Sequence, residues 1–301
     1  MMMSFDANDY RQASLESWEE AAPGWVTQQR LMREFTAPVS HWMVEAISPQ
    51  PGQRVLELAA GLGETAMLAA ELVAPMGGVV ISDQAEAMLE GARARALELS
   101  LNNIEFRVLN AEWIDLPLAS VDGVLCRWGI MLMADPATAL GETRRVLRPG
   151  GRLAIAVWDS IEHNPWASLP AEEMAARSQA PEAEQSANLD PSGPAESSGG
   201  APSPGPFALA SPAKVSELLE QAGFSDIEVQ AVDLLRRHSS FEELWETTLD
   251  LSRGFHDAVL SRPENEIADI RASLAERFAP YTSGDGSLEI PGRTLVASAG
   301  A

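Results

Sequence analysis

Apolar residues in the middle of the chain fall in short runs separated by longer amphipathic stretches. VLEL (55–58), GVVIS (78–82), IEFRVL (104–109), DGVLCRW (122–128) and RLAIAVW (152–158) have the length and branching of buried strands. Segments 64–74, 85–99 and 136–147 between them have helical spacing, and strand–helix alternation predicts βαβ units with a parallel sheet. The third helix is expected to stop at Arg148-Pro149-Gly150-Gly151, a breaker followed by a tight turn.

The flanking regions read differently. Residues 1–50 have a helical pattern and carry Trp18, Trp25 and Trp42. Beyond the fifth strand, 178–206 is rich in Pro, Ser, Gly, Ala and Glu and lacks core residues, so a mobile or disordered loop is expected. A helix over 211–222 closes at Gly223; 226–232 reads as a sixth strand, 240–254 and 264–279 as helices, and 293–298 as a seventh strand. Phe241, Leu244, Trp245 and Leu249 fall at helical spacing, a stripe for the core or for a cap or dimer surface. The expected fold is α/β, a seven-stranded, mostly parallel sheet with helices on both faces. Four regions follow: a helical lid over 1–50, a core over 51–160, an insertion over 161–210, and 211–301, which completes the sheet and carries a helical cap over 236–285.

Composition narrows the function classes. At 301 residues with 46% hydrophobic and 22% charged positions, the chain can bury a sizeable core. No run approaches the ~20 apolar residues of a membrane span. The first residues show no basic region followed by an apolar run, so a cytoplasmic protein is expected. Cys126 is the only cysteine, which excludes an intrachain disulfide and a cysteine metal cluster, and no metal is expected. A net charge of −23 repels phosphate backbones, so nucleic acid is not an expected partner.

The densest chemistry lies in Val55-Leu-Glu-Leu-Ala-Ala-Gly-Leu-Gly-Glu-Thr-Ala66, where an apolar strand ends in an acid and a small-residue turn opens a helix. Small residues admit a close ligand, and the helix start offers free N–H groups. Gly61, Gly63 and Ala66 satisfy G-x-G-x-x-A, and Asp83, twenty residues past Gly63, closes the second strand. A carboxylate there accepts the ribose hydroxyls of an adenine nucleoside, or simply caps a helix.

This ordered set resembles the class I S-adenosylmethionine-dependent methyltransferases, most closely those of ubiquinone and menaquinone synthesis and their small-molecule relatives. Glu57, Ala59, Gly61 and Gly63 fall on the family's first motif, and Glu142 to Leu153 on the helix–turn–strand closing its core. The resemblance covers 15–160 well and the last third loosely. It implies a Rossmann-like sheet with S-adenosyl-L-methionine as cofactor and S-adenosyl-L-homocysteine as product. Glu57 would hold the methionine ammonium, Asp83 with neighbouring Gln84 the ribose, Met88 the adenine face, and Asn110-Ala111-Glu112 the adenine edge. Ala59 replaces the usual first glycine, which the turn tolerates if its φ stays negative; Asn110 replaces the usual aspartate.

The resemblance also implies a small-molecule methyl acceptor. Pocket walls are expected past the fourth and fifth strands, with Trp128, Trp158 and Trp166 lining an aromatic pocket or packing as core. Trp25 belongs to a lid. Arg127, at the cofactor side of the fourth strand, is a candidate partner for a substrate carboxylate or for Asp159. Gly129 and Ile130 stand where menaquinone-type relatives often carry histidine, leaving His163 as the candidate base, or as a solvated loop residue. Two other readings remain: a nicotinamide-dependent oxidoreductase and a non-catalytic cofactor binder. The short-chain dehydrogenase version fails, because neither Tyr10 nor Tyr281 precedes the single lysine, Lys214, at Tyr-x-x-x-Lys spacing. A homodimer is compatible with either outcome.

Overall fold

The computed structural model describes residues 6–177 and 204–301. Most of the expected loop at 178–206 lies outside the described residues. The chain opens with two helices, α1 (Ala7–Thr27) and α2 (Gln29–Ile47). It continues β1 (Arg54–Glu57), α3 (Glu64–Val73), β2 (Gly78–Asp83), α4 (Glu86–Glu98), β3 (Ile104–Val108), β4 (Val121–Arg127), α5 (Pro136–Val146) and β5 (Leu147–Trp158). After α6 (Pro165–Arg177) come α7 (Pro212–Gln221), β6 (Ser225–His238), α8 (Phe241–Leu251), α9 (Arg253–Leu260), α10 (Glu264–Phe278) and β7 (Leu288–Gly300).

The strands form one seven-stranded sheet in the order β3-β2-β1-β4-β5-β7-β6. The first five run parallel; β7 is antiparallel to β5, and β6 to β7. Strand order reverses between β1 and β4, and α/β sheets take ligands outside the carboxyl ends at such a switch point. Right-handed crossovers put α3 and α4, which lead the chain one way, and α5, which leads it the other way, on opposite faces. The central strands are apolar throughout, as burial under helices on both faces demands: Val55, Leu56, Val80, Ile81, Val124 and Leu125 are all buried. α3 meets them with Ala66, Ala69 and Ala70, whose small side chains allow close helix–sheet approach.

The expected elements are present, and the differences lie at their ends. β6 was expected over 226–232 but continues to His238; β7 was expected over 293–298 but starts at Leu288. Thr294 pairs with Trp158, the last residue of β5, so the β6–β7 ribbon projects past the parallel sheet. The helical cap therefore begins after His238 rather than at 236. The helix expected over 240–254 is two helices parted at Ser252, whose side chain caps the second through the Phe255 N–H. Leu244 and Trp245 of the predicted stripe are core, in a second apolar cluster with Phe255, Ile270, Leu274 and Ile290. None of the described helices is long and apolar enough to cross a membrane.

Lid and cap are joined to each other. Gln28, between α1 and α2, donates to Asp250 of α8 at 2.7 Å. Gly24 of α1 lies so close to α8 that a Cβ would stand 2.2 Å from the Asp250 carbonyl oxygen. Gly24→Ala must push the two helices apart. A loss of roughly 1–3 kcal/mol, the usual range for overpacking, is expected in urea unfolding; an unchanged midpoint would show that the contact yields freely.

Candidate functional site

The site begins with Glu57, which ends β1 and is only 1% exposed. Its Oε2 accepts the Ala66 N–H at 2.9 Å, and Thr65 supplies a side-chain hydrogen bond. Burial outweighs these bonds and the nearby Arg127 cation, pushing its pKa up to about 7. Asp83 ends β2 in the same manner. Its Oδ2 accepts the Gly61 N–H at 2.8 Å and its Oδ1 the Ala85 N–H at 3.0 Å, while burial raises its pKa. One carboxylate thus holds the far end of the turn and the other its middle. Asp83 does not cap α4, whose N-cap is Ala85; its side chain serves the turn and the residue just before the helix.

Between them the backbone alternates into the left-handed region at Ala59 (φ 47°), Gly61 (φ 53°) and Gly63 (φ 74°). The expectation of a negative φ at Ala59 is therefore corrected: the turn uses the glycine conformation even where alanine stands. Space for its Cβ comes from Gly129, where an added Cβ would lie 2.5 Å from that of Ala59.

The lid closes over this turn through specific polar contacts. Glu19 of α1 accepts the Glu86 and Ala87 N–H groups at 2.7 and 3.0 Å, capping α4 from outside with a charge suited to a helix start. Gln84 donates to Ser14 at 3.1 Å, and Tyr10 to the Leu132 carbonyl at 2.8 Å. Met88, 1% exposed, sits in an apolar cluster with Leu62 and Ala22, and Trp18 and Trp25 pack against that cluster. Asn110 turns its carbonyl oxygen onto the Glu112 N–H at 2.8 Å; Ala111 is buried beside it. The Glu112 carboxylate accepts the Ala134 N–H at 3.0 Å and pairs with Arg11 of the lid.

Arg127 does not pair with Asp159. It is turned onto α2, donating to the hydroxyls of Thr36 at 2.8 Å and Ser40 at 2.5 Å, with Glu57 and Glu64 as the nearby charges. The three tryptophans do come together. Trp128 stacks on Trp158 with centroids 4.2 Å apart at 10°, and Trp158 meets Trp166 at 4.7 Å. Phe35 of α2 lies beside both Trp128 and Trp158, and the Trp128 indole N–H donates to Thr294 at 2.9 Å. His163 is not brought into this column. It sits half exposed on a short turn after β5, paired with Asp159 at 3.0 Å. The cations at the column are Arg127, over Trp128, and Arg236 of β6, between Phe35 and Trp166. In sequence, Arg236-Arg237 reads as a surface pair; only the two-residue alternation Leu234, Arg236, His238 marked the buried face.

Two enclosed polar atoms flank the turn without protein partners: Glu64 Oε1 at the start of α3, and Trp25 Nε1 on the lid. Enclosed unpaired groups are rare in folded proteins, and these two are open to further hydrogen bonds. Among the described residues, no group of three or more His, Cys, Asp or Glu side chains is placed to hold a metal ion. A surface groove along Gly52–Arg54, Met76–Val80 and Asn102–Glu105 lies at the amino-terminal ends of β1, β2 and β3, the opposite end of the strands from these enclosed atoms.

The strain at Ala59 is testable. Alanine in the left-handed region costs about 1–2 kcal/mol, and glycine's greater freedom in the unfolded chain returns part of that. Ala59→Gly is expected to stabilise the protein by roughly 0.5–1 kcal/mol in chemical denaturation. A loss of stability would mean that the Cβ contact with Gly129 outweighs the backbone strain.

The comparisons with known proteins agree with this geometry. A family described as a methyltransferase domain matches residues 49–235. The chain is 32% identical over 147 residues to an aklanonic acid methyltransferase of Streptomyces sp. (strain C5), covering 49% of this chain and 66% of that protein. It is 36% identical over 127 residues to a ubiquinone/menaquinone biosynthesis C-methyltransferase of Hahella chejuensis, covering 42% and 48%. The chain thus spans about half to two thirds of the length of these relatives. In structure it resembles the YcgJ protein of Bacillus subtilis, with a TM-score of 0.55 at 17% identity over 87% of this chain and 97% of that one, a likeness of fold. By the family match across the sheet, the chain belongs to the methyltransferase-domain family.

Proposed function

We propose that the protein transfers a methyl group from S-adenosyl-L-methionine to a small, planar, largely apolar acceptor. The observation that carries this reading is the pair of buried carboxylates, Glu57 and Asp83, gripping a left-handed small-residue turn at the switch point of the sheet. Asp83 accepts backbone N–H groups of Gly61, Gln84 and Ala85 and keeps remaining lone-pair capacity for a ribose hydroxyl. Met88 and Ala111 offer apolar surface for adenine, and Gln84 with Ser14 extends the polar rim. Glu57 and Glu64 supply the negative charge that an ammonium requires, and Trp25 of the lid brings an unpaired donor.

S-adenosyl-L-methionine held by Glu57, Asp83 and Met88 would supply an electrophilic methyl group and leave as S-adenosyl-L-homocysteine, the acceptor's proton passing to solvent. The chain's own part is positioning. Holding donor and acceptor in line is worth on the order of 7–11 kcal/mol in favourable cases. Trp128, the residue after Arg127 and joined to the cofactor turn through Gly129, walls the acceptor side. The family match favours this reading over a nicotinamide oxidoreductase.

Two measurements test it. Asp83→Ala should weaken S-adenosyl-L-homocysteine binding by roughly 1.5–3 kcal/mol, the range for hydrogen bonds to a charged group; equal affinity by calorimetry would remove Asp83 from the ribose. Incubation with methyl-labelled cofactor and a panel of aromatic phenols, amines and carbon acids should label at least one acceptor. Tight cofactor binding with no labelled product would favour the non-catalytic alternative.

A further inference from the structure

Arg236 lies near the projecting end of β6, 6% exposed, and its Nε is enclosed without an acceptor. Among the described residues, no hydrogen bond or ion pair reaches its guanidinium. Its contacts are rings: the guanidinium carbon stands 5.7 Å from the centroid of Phe35 and 5.6 Å from that of Trp166. Burial alone, with no carboxylate to oppose it, lowers its pKa to about 10. His238 follows two positions on, on the same face of the strand, with both ring nitrogens enclosed and unpartnered. Burial, and then the Arg236 cation, lower its pKa to about 4, so the imidazole is neutral near pH 7; Glu243 is the acid that partly opposes this.

A buried cation without a counter-ion is costly, and contact with ring faces recovers only part of that cost. In a chain of net charge −23, whose other arginines in the site are engaged (Arg127 by hydroxyls, Arg11 by Glu112), nothing on the surface compels this residue to stay unpaired. The arrangement is that of a binding group awaiting an anion. A planar carboxylate matches the two-pronged guanidinium, and a neutral imidazole adds one more donor. The aromatic column gives the rest of the ligand its shape. It runs from Trp128, beside the cofactor turn, through Trp158 to Trp166, beside Arg236.

We propose that Arg236 anchors the carboxylate of an aromatic acid, which lies along the Trp128–Trp158–Trp166 column with its reacting atom at the Trp128 end. The carboxylate is then the handle, and the atom that receives the methyl group lies elsewhere on the molecule. The reacting end rests on the methyl-transfer reading above; the anion site does not.

The test titrates the full chain with 2-naphthoate and with the neutral isostere 2-naphthamide, with and without S-adenosyl-L-homocysteine, following tryptophan fluorescence. The wild type should prefer 2-naphthoate by on the order of tenfold or more, the usual worth of a charge-assisted pair. Arg236→Met should abolish the preference, leave S-adenosyl-L-homocysteine affinity unchanged and raise the melting temperature of the free protein, because an unpaired buried charge is gone. Equal affinity for the two probes, binding of neither at millimolar concentration, a preference surviving Arg236→Met, or a fall in melting temperature each overturns the proposal; the last would mark Arg236 as a structural residue held by its rings. A 2-naphthoate preference lost in Arg236→Met, in a wild type that ignores S-adenosyl-L-homocysteine, would keep the anion site and remove the methyl-transfer reading.

Discussion

Two carboxylates taken out of water and satisfied by backbone N–H groups are the constraint on which the rest of this molecule depends. Glu57 and Asp83 end adjacent parallel strands, and each reaches into the same turn, Glu57 to Ala66 and Asp83 to Gly61. Desolvation raises both pKa values, so the arrangement costs stability. It persists because the turn needs these acceptors to hold three residues at positive φ. A rigid turn with its N–H groups spoken for, at the point where strand order reverses, defines a ligand site before any ligand arrives.

From that turn the molecule is assembled outward by contacts distant in sequence. α1 reaches across to cap α4 through Glu19, to Gln84 through Ser14 and to Glu112 through Arg11. The same helix is seated on α8 at Gly24, so lid and cap form one shell over the switch point. The long β6–β7 ribbon carries that shell and delivers Arg236 and His238 to the aromatic column. Cofactor turn and acceptor wall meet where Gly129 admits Ala59, a contact of two small residues that joins the two halves of the site.

Much of this was legible in the chain itself. Short apolar runs separated by helical periods specify a parallel sheet because strands buried on both faces need no polar alternation. The acids at 57 and 83 with glycines between them marked the turn, because glycines take its left-handed positions and the acids accept its N–H groups. The ends of β6 and β7 were not legible, since their outer faces are polar and a strand that projects beyond its sheet has no continuous apolar run. The φ of Ala59 was misread because alanine is a poor residue for it, and only the gap left by Gly129, seventy positions away, makes it tolerable. The surroundings of Arg127 and Arg236 were not legible for a similar reason. Whether a guanidinium meets hydroxyls or bare rings depends on α2, which packs beside β4, β5 and β6 but is distant from all three in sequence.

The central claim is that the clamped turn receives an adenosyl amino acid. The most direct measurement is calorimetric titration of the unmodified protein with S-adenosyl-L-homocysteine and, separately, with NADH. One molecule of S-adenosyl-L-homocysteine bound per chain, with no heat from NADH, is the predicted result. Saturable binding of NADH, or indifference to S-adenosyl-L-homocysteine at millimolar concentration, would contradict it.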